Sequence, residues 1–164
     1  MENNEVIATT VLSGLAEYTS ALDTLCGLAT HELSIFEQDF LNIGFESVAR
    51  QESLRVFLLA NPRNQLKLLA KDTLPLSQYC PRLMLLLRQF GHNMFIYQLP
   101  KHMQNFSQPF AVVDSAHSVH RPHFDTMRGS LALGDAAKAC QLKSRFEELW
   151  NASQPSSLTS TFIL

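Results

Sequence analysis

Glycine is scarce in this chain: six residues in 164, spread along its length. A phosphate-cradling loop needs glycines close together, so that backbone N–H groups can approach the phosphate with no Cβ in the way. No such loop is present, and neither a nucleophile elbow nor a Ser-His-Asp order is visible. These absences argue against a nucleotide-binding enzyme, and no cofactor is expected. Cysteine is also sparse. Cys26, Cys80 and Cys140 form no CxxC pair, and three cannot pair fully within one chain. They read as reduced, buried thiols and offer no zinc-ligand spacing.

Charge of one sign is lacking too. Thirteen Lys and Arg face fifteen Asp and Glu, for a formal net charge of −2. There is no basic excess to attract nucleic acid or an anionic membrane non-specifically. The longest strongly apolar run, Leu83 to Leu87, is far too short to span a bilayer. The acidic start, Met-Glu-Asn-Asn-Glu, lacks the positive opening and apolar run of a signal peptide. The expectation is a cytoplasmic protein with one domain and a proper core.

Along the chain, residues 1–17 carry little pattern and read as a loosely ordered arm before a single domain over 18–164. Ser20 and Asp23 resemble a capping box, and Leu22, Leu25, Cys26 and Ala29 recur at helical spacing, so 20–30 reads as a helix. His31 to Glu37 reads as a strand with Asp39 just past its end. A short helix is expected near 43–51. Leu54 to Ala60 is almost wholly apolar and reads as a strand in mid-sheet; Arg55 within it is either buried, and then needs a partner, or reaches the surface at the strand's start. Residues 63–78 are ambiguous, with Leu66, Leu69 and Ala70 allowing a helical turn or two.

Pro81 to Phe90 is a firmer helix, with proline in the first turn and Gly91 after the cap. Met94 to Gln98 reads as a strand, and 99–108 as a polar loop. Phe110–Asp114 and Val119–Arg121 read as a β-hairpin. Asp135 caps a last helix whose Ala139, Leu142, Phe146, Leu149 and Trp150 share one side. The tail from Leu158 to Leu164 is β-prone. Alternating strands and helices predict an α/β fold: a mixed, mostly parallel central sheet with helices on both faces.

The ionisable chemistry concentrates in Phe110–Asp114 and His117-Ser-Val-His-Arg-Pro-His-Phe-Asp125, closing with Arg128-Gly129. An apolar strand ends on an acid, then a turn and a short strand follow. That order resembles a half-domain of the phospholipase D superfamily, whose motif is His-x-Lys, four residues, Asp, six residues and Gly-Ser or Gly-Thr. The resemblance implies that Asp114 fills the aspartate slot. The histidine slot then falls on Ser107, the lysine slot on Pro109, and the Gly-Ser slot on Arg121-Pro122. Serine offers no imidazole nucleophile and proline no charge.

A small bacterial family with this half-domain is more similar. It shares the strand before Asp39, Phe110–Asp114, Arg121-Pro122, and Phe146 to Trp150 followed by Ser153. Some of its members occur with GNAT acetyltransferases. The resemblance implies a non-catalytic module that binds a protein partner or an anionic, phosphate-containing ligand. Alternatives are a diverged phosphodiesterase or nuclease, which would have to form a homodimer to assemble two half-sites, and an accessory subunit of a GNAT acetyltransferase. No membrane partner is expected, and nucleic acid is disfavoured by the charge.

Arg121 and Arg128, with Asp114, Asp125 and Asp39, are the candidate ligand-binding residues. Guanidinium grips phosphate with paired hydrogen bonds, and Asp39 lies where α/β sheets place ligands. The same arginines could instead be salt-bridged to Asp114 or Asp125. If catalysis persists, His120 or His123 with Asp114 would carry it. His117, His120, His123 and Asp125 form an alternative metal set, provided the strand breaks at Pro122.

Overall fold

The computed structural model describes residues 7–157. Eight strands form one sheet: β1 (Ala8–Leu12), β2 (Glu32–Glu37), β3 (Gln65–Ala70), β4 (Met94–Gln98), β5 (Phe110–Val113), β6 (His117–His120), β7 (Gly129–Leu133) and β8 (Gln154–Pro155). The helices are α1 (Leu15–Leu28), α2 (Val48–Ala60), α3 (Leu74–Tyr79), α4 (Pro81–Gln89) and α5 (Ala136–Ala152), with a 3₁₀ turn at Lys101–Met103. The strand order is β1-β7-β6-β5-β2-β3-β4-β8.

The sheet is mostly antiparallel, which corrects the expectation of a mostly parallel one. Only β2–β3 and β3–β4 run parallel. The other five pairings are antiparallel. Parallel neighbours need a crossover through a helix, and only α2 and the α3–α4 pair supply one between sheet neighbours. The antiparallel excess comes from β1, β7 and β8, none of them expected, together with the pairings of β5 to β2 and β6; the expected strand at 54–60 is a separate displacement. Those residues belong to α2, and the strand falls at 65–70, where a helical turn was expected.

The local chemistry explains the exchange. Ser47 Oγ accepts a hydrogen bond from Arg50 N–H at 3.0 Å and starts α2. Arg50, Leu54, Phe57 and Leu58 are then buried at i, i+4, i+7 and i+8, while Val56 and Leu59 stay exposed. Arg55 is exposed and pairs with Glu52, so the buried arginine of this region is Arg50 instead. Its Nε lies 2.8 Å from Asp23 Oδ1, its Nη2 donates to Thr19 O, and the guanidinium sits 4.7 Å from the centre of the Phe45 ring. It ties α2 to α1. A Cβ on Gly44, whose φ is +95°, would stand 2.7 Å from Arg50 Nη2, so the loop needs glycine there.

Other expectations meet the fold in different ways. The helices at Pro81 and Asp135 and the strands at 31–37, 94–98 and 110–113 form as read. Asp135 Oδ1 accepts from Lys138 N–H at 3.1 Å. The presumed loose arm contains β1, paired with β7, and α1 begins at Leu15, which leaves Ser20 and Asp23 inside a helix. The expected strand at 158–164 lies outside the described residues. Cys26 and Cys80 are buried and their thiols are pushed up to about 11, chiefly by burial, whereas Cys140 is exposed.

Two cores flank the sheet. α1 to α4 cover one face, with Leu22, Leu25, Leu33, Ile35, Leu68 and Ile96 wholly buried. α5 covers the other through Ala139, Leu142, Phe146 and Leu149, against Phe36, Phe110 and Val112. Burying Phe146 completely is worth about 2 kcal/mol.

Candidate functional site

Two ends of the sheet divide the predicted site residues between them. At one end β2 finishes on Glu37 and β6 runs into Arg121. Arg121 Nη2 lies 2.7 Å from Glu37 Oε2, and both side chains are almost wholly buried. Arg121 Nη1 donates to Phe124 O at 3.2 Å and Thr126 O at 3.1 Å. The guanidinium carbon lies 4.4 Å from the centre of the Tyr18 ring, and Tyr18 OH donates to Glu37 Oε1. Burial pushes the Glu37 carboxyl up from the usual range, with the Arg121 charge opposing it. Burial and the Glu37 charge push Tyr18 up. Arg121 is therefore spent inside the fold, on a partner the sequence reading did not name, and does not face an incoming anion.

Gly129 allows this close packing. A Cβ there would stand 2.3 Å from His120 O and 3.1 Å from Arg121 Cγ. Arg128, one residue earlier, is exposed and makes no ion pair among the described residues.

Asp114 sits at the opposite end, where β5 turns into β6. Asp114 and Ser115 both have φ of +52°, as the tight hairpin turns of primed type require. Asp114 Oδ1 accepts from His31 N–H and Glu32 N–H, each at 2.8 Å. Its Oδ2 accepts from Thr30 N–H at 2.8 Å and Thr30 Oγ1 at 2.9 Å. Partial burial would raise this carboxyl, but the donors from Glu32, Thr30 and His31 hold it below the usual range. Asp114 thus clamps the β5–β6 turn to the start of β2. It meets neither Arg121 nor Arg128.

The histidines do not converge. His117 Nδ1 accepts from Gly134 N–H at 2.9 Å. His120, two residues on from Ser118, lies on the α5 face; its Nδ1 is buried without a hydrogen-bond partner. Burial, then the Lys138 and Arg145 charges, hold His120 below its usual value of 6.5. His123 and Asp125 are exposed and bond each other, Asp125 N–H donating to His123 Nδ1 at 3.0 Å. No group of three or more His, Cys, Asp or Glu among the described residues could hold a metal ion. Asp39 closes a local turn by accepting from Leu41 N–H at 3.0 Å.

A cleft of about 270 Å³ opens between the 105–108 loop and α5, lined by Asn105, Ser107, Gln108 and Arg145 over a floor of Phe36 and Phe110. Arg145 Nη1 donates to Gln108 Oε1 at 3.0 Å. The sequence did not single out Arg145. Its partner lies 37 positions away, so spacing carried no signal.

The profile of one protein family matches residues 15–161, nearly the whole chain. The chain belongs to DUF7931, a domain of unknown function. No curated protein sequence matches this DUF7931 domain. Among solved structures it is similar to TrmBL2, an archaeal chromatin protein with a novel mode of DNA binding: 14% identity and TM-score 0.66, covering 90% of this chain and 54% of that one. It is similar to Nuc of Salmonella typhimurium, a phospholipase D family member: 10% identity and TM-score 0.66, covering 92% of this chain and 98% of that one. It is similar to phosphatidylserine synthase of Haemophilus influenzae: 11% identity and TM-score 0.63, covering all of this chain and 43% of that one. The DUF7931 chain thus spans about half of two of these proteins and nearly all of Nuc, and it is similar in fold to all three, the phospholipase D family member Nuc among them. No helix among the described residues is long and apolar enough to cross a membrane.

Proposed function

We propose that this domain is a non-catalytic, phospholipase D-like module that binds an anionic, phosphate-containing ligand in the cleft between the 105–108 loop and α5. The carrying observation is the internal use of Arg121. Its guanidinium is committed to Glu37, Phe124 O and Thr126 O, so the arginine in the Gly-Ser slot of the resemblance is not free to clamp a phosphate. Ser107 and Pro109 stand in the histidine and lysine slots of the resemblance. Arg145, Gln108, Ser107 and Asn105 remain to face a ligand, and a guanidinium with neutral donors suits a phosphate oxygen. The DNA-binding neighbour makes a phosphodiester backbone a reasonable form of that ligand.

The test pairs binding with turnover. Inorganic phosphate and a short oligonucleotide, titrated by NMR, should perturb the 105–108 amides, and Arg145→Ala should weaken binding about tenfold. An activated phosphodiester should not be turned over. Turnover that vanishes in His120→Ala would favour the second reading, a diverged phosphodiesterase acting as a homodimer. That reading draws on the match to nearly the full length of Nuc.

A further inference from the structure

The two edges of the sheet are finished differently. β8, at one edge, is two residues long and contains Pro155, which has no N–H to offer a further strand. β1, at the other edge, has none of these protections. From Val6 to Ala16 the sequence holds no charge and no proline. Four of the five residues of β1 are exposed; Val11 is 77% and Ile7 56% exposed. Among the described residues Ala8 to Leu12 pair only with β7, so the other side of β1 presents backbone groups that no described strand pairs.

The pattern on that edge is symmetric about Thr9. Ile7 and Val11, two residues to either side, are both β-branched, and Thr9 and Val11 share the face of Ala132 and Ser130. On that face α5 packs over β2, β5 and β6, several strands away from β1. An antiparallel partner centred on Thr9 sets Thr9 opposite Thr9, and each Ile7 opposite a Val11. A second copy of this chain supplies that partner, and the absence of charge means no like charges meet. The added strand would also roof a groove of about 530 Å³ between β1 and α1, lined by Thr10, Leu12, Ala16, Ala21 and Leu131.

We infer that β1 is a homodimer interface, pairing antiparallel with β1 of a second copy about a two-fold axis at Thr9, so that the two sheets become one. This interface is independent of the ligand cleft and of the reading built on it. Sedimentation velocity over a dilution series of the full chain tests it. The wild type should sediment as a dimer that dissociates on dilution. Val11→Lys should sediment as a monomer with unchanged circular dichroism, since Val11 is exposed, and should melt like wild type diluted to its monomer. In a Cys140→Ser background, Thr9→Cys should cross-link under mild oxidation, because opposed residues in an antiparallel pair bring Cα atoms to about 4.5–5.5 Å, within disulfide range. Val11→Cys should cross-link far less, since it faces Ile7. A monomeric wild type at every concentration, a Val11→Lys dimer, or a Thr9→Cys dimer that does not cross-link would each overturn the interface.

Discussion

Arg121 and Glu37 lie 84 positions apart in sequence and 2.7 Å apart in space, with their side chains 2% and 3% exposed. An arginine that reads in the sequence as a candidate anion clamp is the counter-ion of a buried glutamate.

Breaking that pair one side at a time should be costly. Glu37→Leu or Arg121→Met alone leaves an uncompensated buried charge and should lose about 3–5 kcal/mol in urea unfolding. The double variant removes both charges and should be more stable than either single one. Single losses below about 1 kcal/mol would show that the pair is not the buried cross-link described.

Asp114→Asn tests the clamp on the turn. The neutral amide cannot serve all four donors, and the expected loss is about 1–3 kcal/mol at neutral pH. The wild-type carboxyl is held below its unfolded value. Its contribution is therefore full above the ordinary carboxylate range near ~4 and fades as pH falls through the lower folded value. Chemical unfolding across acidic pH should show a shallower acid loss in Asp114→Asn than in wild type. Parallel curves would remove the clamp from the account.

Gly129→Ala should destabilise by about 1–3 kcal/mol, because the new methyl meets His120 O at 2.3 Å and backbone must shift. Gly14→Ala is the control: a Cβ there meets nothing within 4 Å. A thermal melt of Gly129→Ala that matches wild type would contradict the close approach of β6 and β7.

His120 should titrate below 6.5 in an NMR pH series, and Arg145→Ala should raise it part of the way back. The recovery should be incomplete, since burial is the larger cause. A folded histidine with a depressed value favours the neutral state. Its contribution to stability is thus present above 6.5 and lost as pH falls through the folded value. No change in Arg145→Ala would mean that the cleft arginine does not act on His120.

The legible parts of this molecule are those whose signal is local. Asp135 three residues before Lys138, Pro81 opening an apolar face, and Phe110–Val113 running into a turn each carry their structure in a short window. The start of the helix at 48–60 overlaps the short helix expected near 43–51, but its later part, 54–60, reads as a strand because its apolar run, taken alone, also suits one; the cap at Ser47 and the buried face that begins at Arg50 lie upstream of that run.

Sequence alone determined the α/β class, the hairpin after Phe110, the last helix, and the lack of any glycine-rich phosphate loop, because periodicity, caps and composition are properties of neighbours along the chain. Only the tertiary structure decided that the sheet is mostly antiparallel, that Arg121 belongs to Glu37 and Tyr18, that Asp114 fastens the far end, and that Arg145 meets Gln108. Those outcomes depend on which distant segments become neighbours. A buried charge takes whatever partner the packing brings within reach, and the sequence carries no distance between them.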